Sequence, residues 1–354
     1  MTAFLSSYSQ VIYRSAVHVR QCLYCTIATN DTESLNCDFR VVKVAFVGPP
    51  NAGKSTLINS LAGRRVCAIS SKVHTTRRHL RAVSVEGNTQ MIFLDTAGLV
   101  TADEMQKHKL SRSFMCDAEA ALLQADVMGV VHDTANHWTR EKIDPKSLRL
   151  LQLYQNKPAI LIMNKVDAVK SKRKLLDLVK ILTNDSLKSS KDVPSERRYQ
   201  QSELSVKHFI KQERGWSYFS EVFMVSALTG SGVADIKDYL LQQAQRKPWV
   251  FKDTQFTDEP MEQIMIQAVQ AKLLEHLPQE VPYNLSVAME YLKVGRAGNI
   301  SAVLLVKCPA PRIEKLVMGS KGGRIKLIAQ ETEQDLRNTF LEEVSLKLVV
   351  TGKT

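Results

Sequence analysis

Gly48-Pro49-Pro50-Asn51-Ala52-Gly53-Lys54-Ser55-Thr56 is the stretch whose reading decides the fold. It follows Val41-Val42-Lys43-Val44-Ala45-Phe46-Val47, an apolar run that predicts a buried strand. It leads into Leu57-Ile58-Asn59-Ser60-Leu61-Ala62, which continues as the first turns of a helix. Strand, glycine loop, Lys-Ser and helix together give the context that makes this pattern a phosphate-binding loop. Glycine lets consecutive backbone N–H groups face inward where a side chain would block them. The helix N-terminus places partial positive charge beneath the phosphates. Lys54 is then expected to reach the β- and γ-phosphates, and the Ser55 hydroxyl to ligate Mg²⁺.

Outward from that loop, residues 41–247 alternate strand-like and helix-like segments, which predicts an α/β fold with a mostly parallel sheet. Strands are predicted at 41–47, 82–85, 91–94, 127–132, 159–163 and 221–225. Helices are predicted at 56–61, 103–123, 144–155 and 232–245. Three further motifs each follow one of the later strands. In Asp95-Thr96-Ala97-Gly98 the carboxylate is placed to hold Mg²⁺ through water, and the Gly98 N–H to meet the γ-phosphate. In Asn164-Lys165-Val166-Asp167, Asp167 can accept two hydrogen bonds from guanine, which adenine does not offer. Asn164 is expected to bond the base's other edge, and the Lys165 stem to cover the ring. Ser226-Ala227-Leu228 is expected to supply a backbone N–H to the guanine oxygen. Each motif alone is common by chance. Four in order, each at a strand's carboxyl end, mark the edge where open α/β sheets bind ligands.

The remaining segments are read by composition. The chain has 354 residues and a net charge of +12, so it holds more than one domain and favours a polyanionic partner, nucleic acid or an acidic membrane surface. Six scattered cysteines include one C-x-x-C, Cys22 and Cys25, with no second pair, and this sparse usage suits a reducing compartment. No apolar run is long enough for a transmembrane helix. Residues 1–40 begin acid-poor, with Arg14, His18 and Arg20 among apolar residues at helical spacing. That start resembles a mitochondrial targeting segment, and the plain alternative is a tail of a cytoplasmic protein. Residues 184–203 form a polar insertion, and residues 248–260, with Pro248 and Pro260, read as a linker.

Residues 261–354 predict a smaller α+β unit in the order α-β-β-α-α-β. Between its second and third helices stands Gly319-Ser320-Lys321-Gly322. Residues 307–326 carry six Lys/Arg, among them Lys321, Arg324 and Lys326, and one acid, Glu314. A glycine-flanked turn lets a sugar–phosphate backbone approach closely, and the charge would follow the strand. Ile325, Ile328 and Ala329 read equally as a groove floor under bases or as helix core. A second basic run, from Arg64 to Arg81, contains no acid. It either contacts RNA or balances phosphate charge.

With these residues in view, the chain from 41 to 354 resembles the Era family of GTPases, a P-loop GTPase domain joined to a type II KH domain. The resemblance implies that Thr76, with Thr75 as the fallback, joins Ser55 and Asp95 at Mg²⁺. It also implies slow GTP hydrolysis to GDP, with Lys54, Thr76, Gly98 and Asn51 as catalytic residues. Ala97 stands where the family commonly has proline, which loosens the turn. Leu99 stands where Ras-like enzymes carry the water-orienting glutamine, so hydrolysis needs another group. Asn51 matches the asparagine that ligates potassium in related GTPases. The resemblance further implies binding near the 3′ end of small-subunit ribosomal RNA and a role in small ribosomal subunit assembly. With the N-terminal reading, that subunit is mitochondrial, in the matrix, with peripheral contact to an anionic membrane left open and a monomer expected. Two rival classes are a membrane-associated regulatory GTPase and an RNA chaperone with a structural nucleotide. The type II KH order argues against the first, and intact Lys54, Ser55, Asp95 and Asp167 against the second.

Overall fold

The computed structural model describes residues 38–68, 80–96, 113–186, 209–210, 212–278, 281–296 and 298–352. Thr75, Thr76, Ala97, Gly98 and Leu99 lie outside the described residues, as do the N-terminal segment through Cys37 and most of the polar insertion.

In the first part of the chain the elements run β1 (Arg40–Val47), α1 (Lys54–Ala62), β2 (Leu80–Glu86), β3 (Thr89–Asp95), α2 (Ser113–Gln124), β4 (Val127–Asp133) and α3 (Pro145–Leu153). They continue with β5 (Ala159–Asn164), α4 (Lys172–Leu182), β6 (Phe219–Met224), α5 (Val233–Gln243) and the two-residue β7 (Gln245–Arg246). The main sheet is ordered β2-β3-β1-β4-β5-β6. Only β2 runs antiparallel along that path. β1 lies between β3 and β4, so successive connections leave it in opposite directions. The loop after β1 therefore sits at the topological switch point, where such sheets bind ligands.

The long apolar runs follow from burial on both faces. Along β1, Val41, Ala45 and Val47 pack into one core with Leu148, Leu151 and Leu175, while Val42, Val44 and Phe46 pack into the other with Leu57, Ile58 and Ile236. Local signals set the helix ends. Asp144 caps α3, accepting hydrogen bonds from the Lys146 and Ser147 amides at 3.1 Å each, with Pro145 in the first turn. Such a cap contributes about 1 kcal/mol.

One expected boundary is corrected here. The helix expected over 232–245 stops at Gln243, and Gln245–Arg246 turn extended to pair antiparallel with Val41 and Arg40. The segment expected as a linker is laid against β2 and β3. The fully buried side chain of Gln90 accepts from the Val250 and Phe251 amides at 2.9 and 3.0 Å and donates to the Phe251 carbonyl at 2.8 Å. Farther along, Val83 N–H donates to the Phe256 carbonyl at 2.8 Å, and Arg81 N–H to the Asp258 carboxylate at 3.0 Å. A buried amide on β3 needs partners, and the strap supplies them.

The second part has α6 (Met261–His276), β8 (Ser286–Val294), β9 (Ile300–Cys308), α7 (Pro311–Met318), α8 (Gly323–Phe340) and β10 (Val344–Gly352). This α-β-β-α-α-β order is the one expected from the sequence. Its sheet is β10-β9-β8, with β10 parallel to β9 and β8 antiparallel. Ile264, Val269 and Leu273 of α6 share its core with Leu304, Val306, Ile328 and Leu336. Ile325 and Ile328 are buried there, which settles them as helix core rather than a groove floor.

The two parts meet along α8. Arg65, just beyond α1, pairs with Asp335 at 2.7 Å, and its carbonyl oxygen lies 2.5 Å from the Thr339 hydroxyl. Lys272 of α6 reaches Asp335 at 3.5 Å and Glu331 at 3.0 Å. Burial raises the Asp335 carboxyl, and Arg65 and Lys272 oppose that rise. The Phe256 ring lies 6.1 Å from that of Phe340 and carries the Arg64 guanidinium 4.8 Å above it. Thus the segment between α1 and β2, which leads toward Thr76, is tied to the helix that starts at the Gly319–Gly322 turn.

Candidate nucleotide and nucleic-acid sites

At the switch point, Gly53 carries φ 95° and caps α1 without a side-chain hydrogen bond. A side chain cannot replace it, because a Cβ there would lie 2.2 Å from the Asn164 amide nitrogen at a left-handed backbone angle. The N-terminal amides of α1 therefore face the loop with no side chain in front of them. Lys54 is buried, and its ammonium donates to the Gly48 and Pro49 carbonyls at 3.0 and 2.9 Å. Burial pushes its pKa down to about 8, against the pull of Asp95 and Asp144.

Ser55 and Asp95, expected together at Mg²⁺, do meet. The Ser55 hydroxyl donates to the Asp95 carboxylate at 2.9 Å, although the residues are 40 apart in sequence. A hydroxyl and a carboxylate form the hard oxygen set that suits Mg²⁺. Buried Thr96 bonds the Phe46 carbonyl at 2.6 Å, so its hydroxyl locks β3 to β1 instead of facing a nucleotide. Cys67 is held beside this site by Asn59, whose side-chain amide bonds its backbone at 2.8 and 2.7 Å. Burial, and then Asp95, keep the Cys67 thiol well above its ordinary pKa.

The loops expected to read guanine are brought to the same edge. Asp167 lies exposed on a short 3-10 turn, Val166–Ala168, behind Lys165 with φ 64°. The Lys165 ammonium is fixed to Asp133 at 2.7 Å, which orients its stem. Asp133 escaped the sequence reading because only the pairing of β4 with β5 puts it beside Lys165. Asn164 differs from expectation. It is buried, its amide nitrogen donates to the Ala52 carbonyl at 2.8 Å, and its oxygen accepts from the Ala227 amide at 3.0 Å. It braces the phosphate loop against the Ser226–Leu228 loop rather than meeting the base edge. That bond also engages the Ala227 N–H, one of the backbone donors of the Ser226–Leu228 loop expected to serve the guanine oxygen. Ser226 shapes its own loop, accepting from the Thr229 amide at 3.3 Å and the Gly230 amide at 2.9 Å. Thr56 is half-buried in the first turn of α1, and Asn51 stands exposed in the loop at φ 60°.

A profile described as "50S ribosome-binding GTPase" matches residues 43–165. The mitochondrial GTPase Era of Salmo salar is 35% identical over 350 residues, covering 89% of this chain and 77% of that protein. The chain belongs to the Era family of GTPases. GTPase Era of Mesorhizobium japonicum is 32% identical, with 92% of this chain and 91% of that protein covered. A crystal structure of Era in complex with MgGDPNP and nucleotides 1506–1542 of 16S ribosomal RNA superposes with a TM-score of 0.65 at 26% identity, covering 89% of this chain and 94% of that one. These matches extend well past the GTPase motifs. The family therefore takes in the second sheet as well as the first.

In that second unit, Gly319 ends α7 at φ 71°, Lys321 is left-handed at φ 47°, and Gly322 precedes α8 at φ 75°. A Cβ on Gly319 would lie 2.7 Å from the Arg324 Cβ, so the turn is tight against α8. Ser320, Lys321 and Lys326 are exposed, as are Lys307, Arg312 and Lys315. Arg324 is placed differently from expectation, because its guanidinium donates to the Leu316 carbonyl and closes the end of α7 against α8. Met318 and Leu327, at 37% and 44% exposure, are the apolar side chains that flank the turn. Neither was selected from sequence, because an apolar residue in a helix carries no local sign of which face it presents.

Proposed function

We propose that this Era-family GTPase is a GTP-dependent switch that holds small-subunit ribosomal RNA near its 3′ end during assembly of the mitochondrial small ribosomal subunit, in the matrix. One observation carries the reading: the likeness to an Era structure holding MgGDPNP and 16S ribosomal RNA covers 89% of this chain. In this reading residues 41–247 are the GTPase domain, 248–260 the strap between domains, and 261–354 a type II KH domain. Ser55 and Asp95, with Thr76, hold Mg²⁺, which neutralises phosphate charge when bound. Asp167 selects guanine, and Lys54 with the α1 amides takes the phosphates. Gly319–Gly322, Lys321 and Lys326 receive the RNA backbone, while Arg324 keeps the turn closed.

The γ-phosphate, through Thr76 and Gly98, sets the segment beyond Arg65, and Arg65 is bonded to Asp335 of α8. Nucleotide state thereby reaches the helix that begins at the RNA turn. Linkage requires the reverse effect, so bound RNA must change GTP affinity or turnover. In the intact chain, Lys321→Ala with Lys326→Ala should weaken binding of a small-subunit 3′-end RNA about tenfold at 0.1 M salt, from lost phosphate contacts. GTP affinity should stay unchanged. Fluorescence anisotropy measures both, and unchanged RNA binding would overturn the assignment of this turn.

Leu99 has no atom to orient water, so hydrolysis needs a bound cation or a partner. Exposed Asn51, at φ 60° in the loop, supports potassium as that ion. Single-turnover hydrolysis should run at least several-fold faster in potassium than in sodium for the natural chain. Asn51→Ala should remove the difference, and equal rates in both salts for the natural chain would remove the potassium role.

A further inference from the structure

A second cation-lined surface lies on the GTPase side of the molecule, beside the guanine-reading loops. A cavity of about 200 Å³ opens between the segment after β4 and the segment after β5. His137 and Arg140 come from the first segment, Lys170 and Lys174 from the second, and no acid lines it. The neighbouring cations have partners: Lys165 is paired with Asp133 at 2.7 Å, and Lys142 donates to the Ile210 carbonyl at 3.2 Å. Arg140, Lys170 and Lys174 have no ion pair among the described residues. Converging like charges without acids between them are destabilising unless an anion joins them.

Between His137 and Arg140 of the first segment stands Trp138, 96% exposed. Its turn is built, not loose. The Trp138 amide donates to the Asn136 side chain at 3.0 Å, and the Arg140 amide to the Asn136 carbonyl at 3.0 Å. The fold thus holds a large aromatic ring in water on a hydrogen-bonded turn, next to a concave patch of unpaired cations. Stacking platform plus cationic groove is the chemistry that takes single-stranded nucleic acid. A lipid surface is a poorer fit. The turn offers one large apolar side chain among Asn136, His137 and Thr139, too little apolar area to insert.

We propose that this surface is a second RNA contact, in which an unpaired base stacks on Trp138 and an adjacent phosphate enters the cavity of His137, Arg140, Lys170 and Lys174. The inference rests on the RNA-binding reading above and adds a contact on the GTPase domain, separate from the Gly319–Gly322 turn.

The test uses the intact chain with that turn unaltered, a single-stranded RNA from the small-subunit 3′ end, and anisotropy across a salt series. Trp138→Ala should weaken binding about tenfold. The triple variant Arg140→Ala, Lys170→Ala, Lys174→Ala should lower the log–log salt slope by about 0.7, the amount one lost phosphate contact removes on a single strand. RNA should quench tryptophan emission in the natural chain, and Trp138→Phe should abolish most of that quenching. Unchanged GTP affinity and melting temperature certify the variants' folds. If the natural chain binds RNA and both variants match it in affinity and slope, the second contact is overturned while the RNA reading stands. If the natural chain binds no RNA, both fall together. Binding to vesicles with 30% phosphatidylserine that the variants lose, with RNA affinity unchanged, would overturn the RNA contact and assign the surface to lipid.

Discussion

Lys54→Ala should weaken GTP binding by about three orders of magnitude, because an ammonium beside a phosphate in a partly buried site contributes roughly 4 kcal/mol. The geometry makes this larger than the loss of a surface lysine. Lys54 is buried and sits 3.0 and 2.9 Å from the Gly48 and Pro49 carbonyls of the loop proposed to take the phosphates, so water cannot replace its charge. The same residue sets a pH dependence. Its pKa in the nucleotide-free chain is about 8, lowered by burial. Bound phosphate favours the charged form, so below pH 8 the lysine is already protonated and affinity is flat. Above pH 8 binding must take up a proton, and Kd should rise by up to about tenfold per pH unit. Titration of a fluorescent GTP analogue between pH 6.5 and 9.5 reads both effects. A Kd for Lys54→Ala within tenfold of the natural chain would contradict the assignment, as would a flat profile to pH 9.5.

Asp167→Asn is the second large effect. A carboxylate that accepts two hydrogen bonds from guanine loses both acceptor sites' charge and gains an unwanted donor, so GTP affinity should fall at least about 100-fold. Xanthine presents a carbonyl where guanine presents its amine, and the new amide can donate to it. Affinity for XTP should therefore rise as that for GTP falls. The fold should survive, because Asp167 is exposed on its turn and the neighbouring brace, Asn164 to Ala52 and Ala227, does not involve it. Competition between GTP and XTP for the labelled nucleotide decides the matter. A variant that keeps tight, GTP-preferring binding would sink the base-reading role of Asp167.

Much of this site is legible in the chain because its residues act through backbone geometry close to them in sequence. Gly53 must be glycine for the loop it closes, and Lys54 and Ser55 follow it directly into α1. The same holds for the turn of Gly319 to Gly322, whose two glycines adopt positive φ where the loop bends. Asn164 shows the limit. Its type and spacing mark it as part of a guanine motif, but its hydrogen bonds run to residues 112 and 63 positions away. No local pattern encodes such partners. Arg324 is similar: its charge suggests phosphate, and its actual bond closes two helices.

By itself the sequence determined the α/β and α-β-β-α-α-β layers, the order of the nucleotide motifs, the family resemblance and the basic turn. Hydrophobic periodicity, glycine and short-range charge act within a few residues and can be read in one dimension. Only the tertiary structure decided that Asn164 is a brace, that residues 248–260 are a strap on β2 and β3, and that Arg65 is bound to Asp335. It also decided that Arg140 and Lys174 share one cavity beside Trp138. Those facts depend on strand order and on which elements pack together. The glycine, lysine and serine of loop 48–56 stand in the chain itself, but the loop's position against Asn164 and Asp95 comes from the β3-β1-β4-β5 order of the sheet.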